Sequence, residues 1–247
     1  MRNFKNISGF SLVELSVTLL IIGIVIAAIT SGSSLLQAAK INKTISEITG
    51  YVAAVNNFKD KYKAWPGDMP NATSYWGATV TNGNGDEEIL DISVSENLLA
   101  WRQLALSGLI AGNYTGTYAE SASGDSEYFA AGINSPASSS AYKGSYYFLG
   151  SHFDVFDTTG ISLQLGSSKG YYEPWGGALS PEDTHIIDVK IDDGLASTGN
   201  FYGFRSNIYL GVANRCVDND YNVSSANYVL TDRTVNSCRM FYWIKKD

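Results

Sequence analysis

The sequence predicts an α+β fold. A long N-terminal helix, its first half able to span a membrane, packs by its second half on an antiparallel β-sheet, with an inserted helix and long loops. Three observations carry this prediction. Residues Leu15 to Ala39 contain no charged side chain. Ile41, Ile45, Ile48, Val52, Val55, Phe58 and Tyr62 recur at the spacing of one helix face. After Ser145 the chain is rich in β-branched and aromatic segments separated by turn formers, and strands that follow one another in this way form antiparallel sheets.

The apolar run of roughly 25 residues would measure about 37 Å as a helix, enough to cross a hydrocarbon core of about 30 Å. Leu19, Leu20, Ile21, Ile22, Ile24, Val25 and Ile26 form its centre, and Ser31 to Ser34 weaken its far end. Lipid offers no partner for backbone polar groups, so the run is expected to be helical despite its β-branched residues. The 41–62 stripe continues the same helix, with Lys43, Glu47 and Lys59 off the stripe. Gly50 weakens it by about 1 kcal/mol relative to alanine. The helix should stop before Trp65-Pro66, because the residue ahead of a proline avoids helical angles. From Phe10 to Lys63 it would be about 80 Å long. A secretory signal peptide competes for the same segment. Arg2, Lys5 and the small residues between Ala27 and Ser34 suit one, whereas the length of the run and Glu14 in its first turn do not. A plain signal anchor is the other competitor, but Lys40 and Lys43 at the far end balance Arg2 and Lys5 and leave the orientation weakly set.

The order of residues at the mouth of the run is more specific. A short basic leader ends in Gly9, and Phe10-Ser11-Leu12-Val13-Glu14-Leu15 opens the apolar helix. This pattern resembles the type IV prepilin class, which includes type IV pilins and the pseudopilins of type II secretion. The resemblance covers Arg2 to about Lys63 and beyond that is one of architecture. It implies that a prepilin peptidase cuts between Gly9 and Phe10 and methylates the new amine of Phe10. Residues 1–9 would be the leader, 10–39 the transmembrane and assembly half of the first helix, and 40–247 a periplasmic or extracellular pilin-like domain that includes the rest of that helix. The precursor would sit in the inner membrane. It would meet an assembly platform there and join other copies, or related pilins, in a cell-surface pilus or a periplasmic pseudopilus. Many pilins carry a proline near the middle of the helix, and this chain has none between Met1 and Trp65.

Glu14 is the singular residue of this segment. In a single chain it lies close to the headgroups, at a helix N-terminus whose dipole favours an acid. In a filament that excludes water it needs a cation, since an unpaired buried charge is strongly penalised. The resemblance suggests the Phe10 amine of a neighbouring subunit, which makes Glu14 the candidate assembly residue.

Trp65 to Leu90 reads as a turn-rich loop, broken by Pro66-Gly67-Asp68 and by Asn82-Gly83-Asn84-Gly85-Asp86. A second helix follows, with Ser93 and Glu96 as a capping box, an apolar face of Leu98, Leu99, Trp101, Leu104, Ala105 and Leu109, and Gly108 or Gly112 as its stop. Tyr118 to Ser145 is rich in Ala, Ser and Gly and reads as an exposed excursion. Strands are expected at Ser145 to Phe156, Ile161 to Leu165, His185 to Ile191, Asn207 to Ala213 and Arg239 to Ile244, with Asp192-Asp193-Gly194 as a turn after the third.

The net charge of -7 argues against non-specific binding to nucleic acid. Cys216 and Cys238 are the two cysteines. In an exported domain their default state is a disulfide closing about 22 residues, a constraint of about 3.4 kcal/mol in the chain-entropy model. Two free buried thiols are the alternative, and zinc is disfavoured because no histidine lies near either. Pilins commonly staple their C-terminal region with one disulfide, so the resemblance points the same way. Asn82, Asn84 and Asp86, beside Glu87 and Glu88, and Asp218, Asp220 and Asn222 alternate as oxygen ligands of Ca²⁺ do. Neither set completes an EF-hand, and solvated turns explain both as well. No other cofactor is expected. His152 and His185 fall in strand segments, no G-x-S-x-G is present, and no enzymatic activity is expected. Trp65, Trp76, Trp101 and Trp175, with the pairs Tyr146-Tyr147 and Tyr171-Tyr172, form either core or an adhesive surface. The adhesive case would suit a minor or tip subunit.

Overall fold

In a computed structural model, the described residues are 9, 11–89, 95–120, 126–127, 129–138, 144–150, 160–167, 176–205, 216–218, 226–230 and 235–246. The chain divides into two compact units, residues Met1–Lys40 and Ile41–Asp247.

Helix α1 runs from Leu12 to Tyr62. Glu14 lies in its first turn and Lys59 and Lys61 in its last, each sign matched to the helix dipole. Lys63, in the left-handed region at φ 58°, closes it just ahead of Trp65-Pro66, as the proline requires. In the first unit the apolar side chains are exposed all round, Leu19 and Ile24 each at 62%. In the second unit the same helix buries Ile41, Thr44, Ile48, Ala54, Val55 and Phe58. Ile45, Tyr51, Val52 and Tyr62 pack partly buried against that core, so the sequence stripe is the buried face.

The 65–89 loop contains one short helix, α2 (Thr73–Trp76), which its turn-rich sequence conceals. Helix α3 spans Glu96–Leu106. Ser93 lies outside the described residues, and the residue at the cap is Ser95, left-handed at φ 54° and without a side-chain cap bond. Gly108 rather than Gly112 ends the helix. It takes φ 75°, and the Gly108 and Leu109 N–H groups reach back to the Ala105 and Leu104 carbonyls at 3.0 and 3.1 Å, the paired bonds of a glycine-closed helix end.

The 118–145 segment is not wholly an exposed excursion. It holds a two-residue hairpin, β1 (Ala119–Glu120) with β2 (Ser126–Glu127), and it buries Phe129, Asn134 and Ser135. The main sheet has four antiparallel strands, β3 (Ser145–Gly150), β4 (Gly160–Gly166), β5 (Phe201–Arg205) and β6 (Cys238–Lys246), in the order β3-β4-β6-β5. Tyr146 pairs with Leu165, Leu163 with Tyr242, and Phe201 with Tyr242. β4 is buried along its whole length, with Leu163 and Leu165 on one face and Ser162 and Gln164 on the other.

One expected strand is a helix. His185 to Ile191 belong to α4 (Pro181–Ile191), so the strands are not consecutive and a helix lies between β4 and β5. Its start is fully marked. The Ser180 hydroxyl accepts the Asp183 N–H at 3.1 Å, Pro181 follows it, and Glu182 and Asp183 occupy the first turn. These features outweigh the β-branched Ile186, Ile187, Val189 and Ile191. The expected strand at Asn207 to Ala213 and the end of the one at Ser145 to Phe156 lie outside the described residues.

Within the second unit the α1 face, Trp65, Met69, Trp101, Leu104, Tyr146, Leu163, Leu165, Leu179, Ile187, Phe201 and Met240 share one core. The Tyr146 hydroxyl donates to Glu47 Oε2 at 2.8 Å, tying the sheet to α1 through an acid that stood off the apolar stripe. Trp101 and Tyr146 each meet the Tyr51 ring edge-on, at 5.1 and 5.0 Å.

Candidate assembly site and the acidic turns

Gly9 is exposed and outside any helix, and Phe10 lies outside the described residues. Two reciprocal bonds build the helix start. The Ser11 N–H donates to Glu14 Oε2 at 2.9 Å, and the Glu14 N–H donates to Ser11 Oγ at 3.2 Å. This is a capping box, which satisfies two of the N–H groups that every helix start leaves open. Further along, hydroxyls turn back onto the helix's own carbonyls. Ser16 donates to Val13 at 2.8 Å, Thr30 to Ile26 and Ala27 at 3.1 and 3.0 Å, Ser33 to Thr30 at 2.8 Å, and Ser34 to Ser31 at 2.9 Å. The rod therefore answers its own hydroxyls internally. Its one charge before Lys40, the Glu14 carboxylate, is exposed. The helix is long and apolar enough to cross a membrane.

Residues 4–30 match the family model described as the prokaryotic N-terminal methylation motif. The chain carries that motif. The methylation motif is the prepilin-type cleavage and methylation signal of type IV pilins and pseudopilins, and it supports a pilin- or pseudopilin-like precursor anchored in a membrane. It takes in Gly9, Phe10 and Glu14 and ends inside the apolar half of α1. No curated protein and no solved structure matches the chain.

Cys216 and Cys238 are joined, their Cα atoms 4.9 Å apart. Both are fully buried, and because they are bonded to each other the alternative of two free thiols falls. The Cys238 carbonyl accepts the N–H groups of Ala178 and Leu179 at 2.8 and 3.0 Å. On the other side, the Val229 N–H donates to the Cys216 carbonyl at 2.9 Å, and the Asp218 N–H to that of Asn227 at 3.0 Å. The bridge thus fastens β6, the segment leading into α4, and the short antiparallel pairing of Val217 with Tyr228.

Among the described residues, the calcium candidates Asn82, Asn84, Asp86 and Asp218 lie outside helices and strands. Asn82 Oδ1 accepts the Thr73 N–H at 2.9 Å. Asn84 Nδ2 donates to Asp86 Oδ2 at 2.7 Å, and Asp86 Oδ1 accepts the Glu88 N–H at 3.0 Å. Asp86 has carboxylate neighbours that sequence spacing did not reveal, since its oxygens lie within 4.8 Å of those of Asp68 and Glu96. Those two acids hold the loop. Asp68 accepts the N–H groups of Gly85, Asp86 and Glu87 at 2.6, 3.0 and 3.1 Å, and Glu96 accepts that of Asn84 at 2.9 Å. Burial raises the Asp68 pKa, partly offset by its three N–H donors. Gly67 makes the close approach possible, because a Cβ there would stand 2.2 Å from the Glu96 carbonyl oxygen. Asp218 accepts the Asn227 N–H at 2.8 Å, and Asp220 and Asn222 lie outside the described residues.

A second acidic turn follows α4. Asp188 accepts the Gly194 N–H at 3.1 Å on one oxygen and the Tyr228 hydroxyl at 2.7 Å on the other. Asp192 accepts the N–H groups of Asn200 and Phe201 at 2.5 and 2.7 Å, and Asp193 that of Leu195 at 2.9 Å. The expected Asp192-Asp193-Gly194 turn is therefore present, following a helix instead of a strand. Burial raises the Asp188 pKa to about 7, with the charges of Asp193 and Asp192 adding to the shift. His185 stands on α4 with its ring 5.3 Å from that of Tyr228, and His152 is outside the described residues. Among the aromatic candidates, Trp65, Trp101 and Tyr146 are buried, and Trp175, Tyr171 and Tyr172 lie outside the described residues.

Proposed function

We propose that this chain is a structural subunit of a type IV pilus or a type II secretion pseudopilus, with no enzymatic role and no need for nucleic acid. Prepilin peptidase cuts between Gly9 and Phe10 and methylates the Phe10 amine. The precursor waits in the inner membrane with its globular domain in the periplasm. The assembly platform then packs the first half of α1 against other copies or related pilins, giving a cell-surface pilus or a periplasmic pseudopilus.

The observation that carries this reading is an apolar helical unit, exposed on every side, whose single acid stands at its open end inside the methylation motif. Lipid supplies no hydrophobic drive for helices to associate, so close packing and polar contacts must select the partner. A carboxylate that leaves the headgroup region for a dry bundle costs about 2.5–3.5 kcal/mol on insertion scales unless a cation meets it. The Phe10 amine of the next subunit offsets that cost and fixes the axial register.

Mass spectrometry of the native chain tests the processing step, and the expected product begins with N-methyl-Phe10. A retained Met1, or cleavage near Ala28, overturns the reading. In the same cells Glu14→Ala should be inserted and trimmed normally yet form no multimers, whereas multimers at the wild-type level would rule out the pairing.

A further inference from the structure

Two Asn-Gly steps, Asn82-Gly83 and Asn84-Gly85, follow each other in the loop after α2, and the fold treats them differently. In such a step the glycine nitrogen can attack the asparagine side-chain amide carbon, because no β-carbon stands in the way. Asn82 is turned away from that reaction. Its Oδ1 accepts the Thr73 N–H at 2.9 Å, and the Gly83 N–H donates at 2.9 Å to the Met69 carbonyl, which is no base.

Asn84 is set up for it. Its Oδ1 accepts the Asp86 N–H at 3.0 Å, an Asx turn that folds the side chain forward over the Gly85 peptide. The same N–H polarises the amide carbonyl that is to be attacked. The Gly85 N–H donates to Asp68 Oδ1 at 2.6 Å, so a carboxylate already holds the proton that must leave. Burial raises the pKa of Asp68 and makes it a stronger base. The leaving nitrogen, Asn84 Nδ2, donates to Asp86 Oδ2 at 2.7 Å.

We propose that Asn84 is a self-modification site, at which the folded loop converts the asparagine to aspartate or isoaspartate through a cyclic imide. Asp68 takes the Gly85 proton as the Gly85 nitrogen forms a bond to the Asn84 amide carbon. The bond from that carbon to Nδ2 then breaks. Nδ2 takes up the proton handed on through Asp86, one of whose oxygens lies within 4.8 Å of one on Asp68, and leaves as ammonia. Water opens the imide at either carbonyl, so the sequence needs no oxidant or reductant. The product adds a carboxylate beside Asp68, Asp86 and Glu96, and isoaspartate lengthens the main chain at the step these acids hold.

The test uses the purified full-length chain in detergent and a mildly alkaline buffer. Samples are digested at intervals, and fragmentation mass spectrometry assigns the change from amide to acid at Asn84 and at Asn82. Near-ultraviolet circular dichroism from the buried Trp65 and Trp101 reports the fold, and a second sample unfolded in urea gives the rates without it. In the folded chain Asn84 should convert about a hundredfold faster than Asn82, the low end of what a positioned acid–base group contributes. It should also convert faster than in urea, where the two steps should react alike. Equal rates at the two sites in the folded chain overturn the proposal, as does a lead for Asn82. A folded chain that converts Asn84 more slowly than the urea sample also overturns it, since the loop would then protect the residue instead of driving its reaction.

Discussion

Asp188 shows how a single side chain can make this domain sensitive to pH. Its carboxyl is buried, takes the Tyr228 hydroxyl and the Gly194 N–H, and lies beside Asp192 and Asp193. These surroundings lift its pKa from 3.8 to about 7. A raised pKa means that the folded chain holds the proton more tightly than the unfolded chain. The resulting stability is fully present below the unfolded value and is lost as pH rises through about 7. Wild-type melting temperature should therefore fall between about pH 5 and pH 8. Asp188→Asn keeps the shape and removes the charge, so at pH 8 it should melt at or above wild type, with no such advantage at pH 5. Every other ionisable group is common to both proteins, so their difference isolates Asp188. Parallel melting curves against pH would refute the assignment. Little of this was legible beforehand. Asp192-Asp193-Gly194 reads as a turn by composition, but the partner of Asp188 lies 40 residues away inside the disulfide loop. Asp68 is similar, its three N–H donors lying 17 to 19 residues downstream. The place of Glu14 in the first turn of α1 depends on its immediate neighbours and could be read from the sequence.

The elements divide along the same line. α1 was legible from end to end, because its apolar positions keep helical period over many turns and the Pro66 ring limits where it can stop. β4 and β6 were legible because they are short runs of aliphatic and aromatic residues bounded by turn formers. α4 was not, and the reason is physical. Over eleven residues, Ile186, Ile187, Val189 and Ile191 satisfy either period, and β-branching favours a strand. The deciding information lay outside that pattern, in Ser180-Pro181-Glu182-Asp183, where a cap, a first-turn proline and two acids mark a helix start. The sheet order was equally hidden, since β6 enters between β4 and β5 from the far end of the chain. If the cap governs α4, Ser180→Ala should cost about 1 kcal/mol, because the Asp183 N–H loses its acceptor at a buried site. Urea unfolding of the globular domain measures this, and a change below about 0.3 kcal/mol would show that packing alone holds the helix.

The whole molecule joins two units of different surface, one apolar and exposed, the other closed around a core. The described residues from Leu12 to Lys40 are stabilised by backbone bonds within one helix, whose apolar surface is exposed and long enough to cross a membrane. From Ile41 onward the stability is that of a water-soluble protein, with a closed core and one covalent bridge. That bridge joins Cys216 to the first residue of β6, a strand hydrogen-bonded on both edges, and its carbonyl also anchors the segment entering α4. Removing it frees a loop of about 22 residues in the unfolded chain, worth about 3.4 kcal/mol in the chain-entropy model. The double variant Cys216→Ser, Cys238→Ser should therefore lose about 3 kcal/mol when residues 41–247 are unfolded in urea. A loss of that size consumes a large part of the 5–15 kcal/mol that a typical domain holds, so the same variant should be markedly more sensitive to proteases. Insertion and leader trimming of the full-length double variant should stay at the wild-type level, because Gly9, Ser11 and Glu14 draw their geometry from the first turn of α1 alone. If loss of the bridge also stopped trimming, the two units would not be independent, and the acid at the end of the rod would depend on the globular domain.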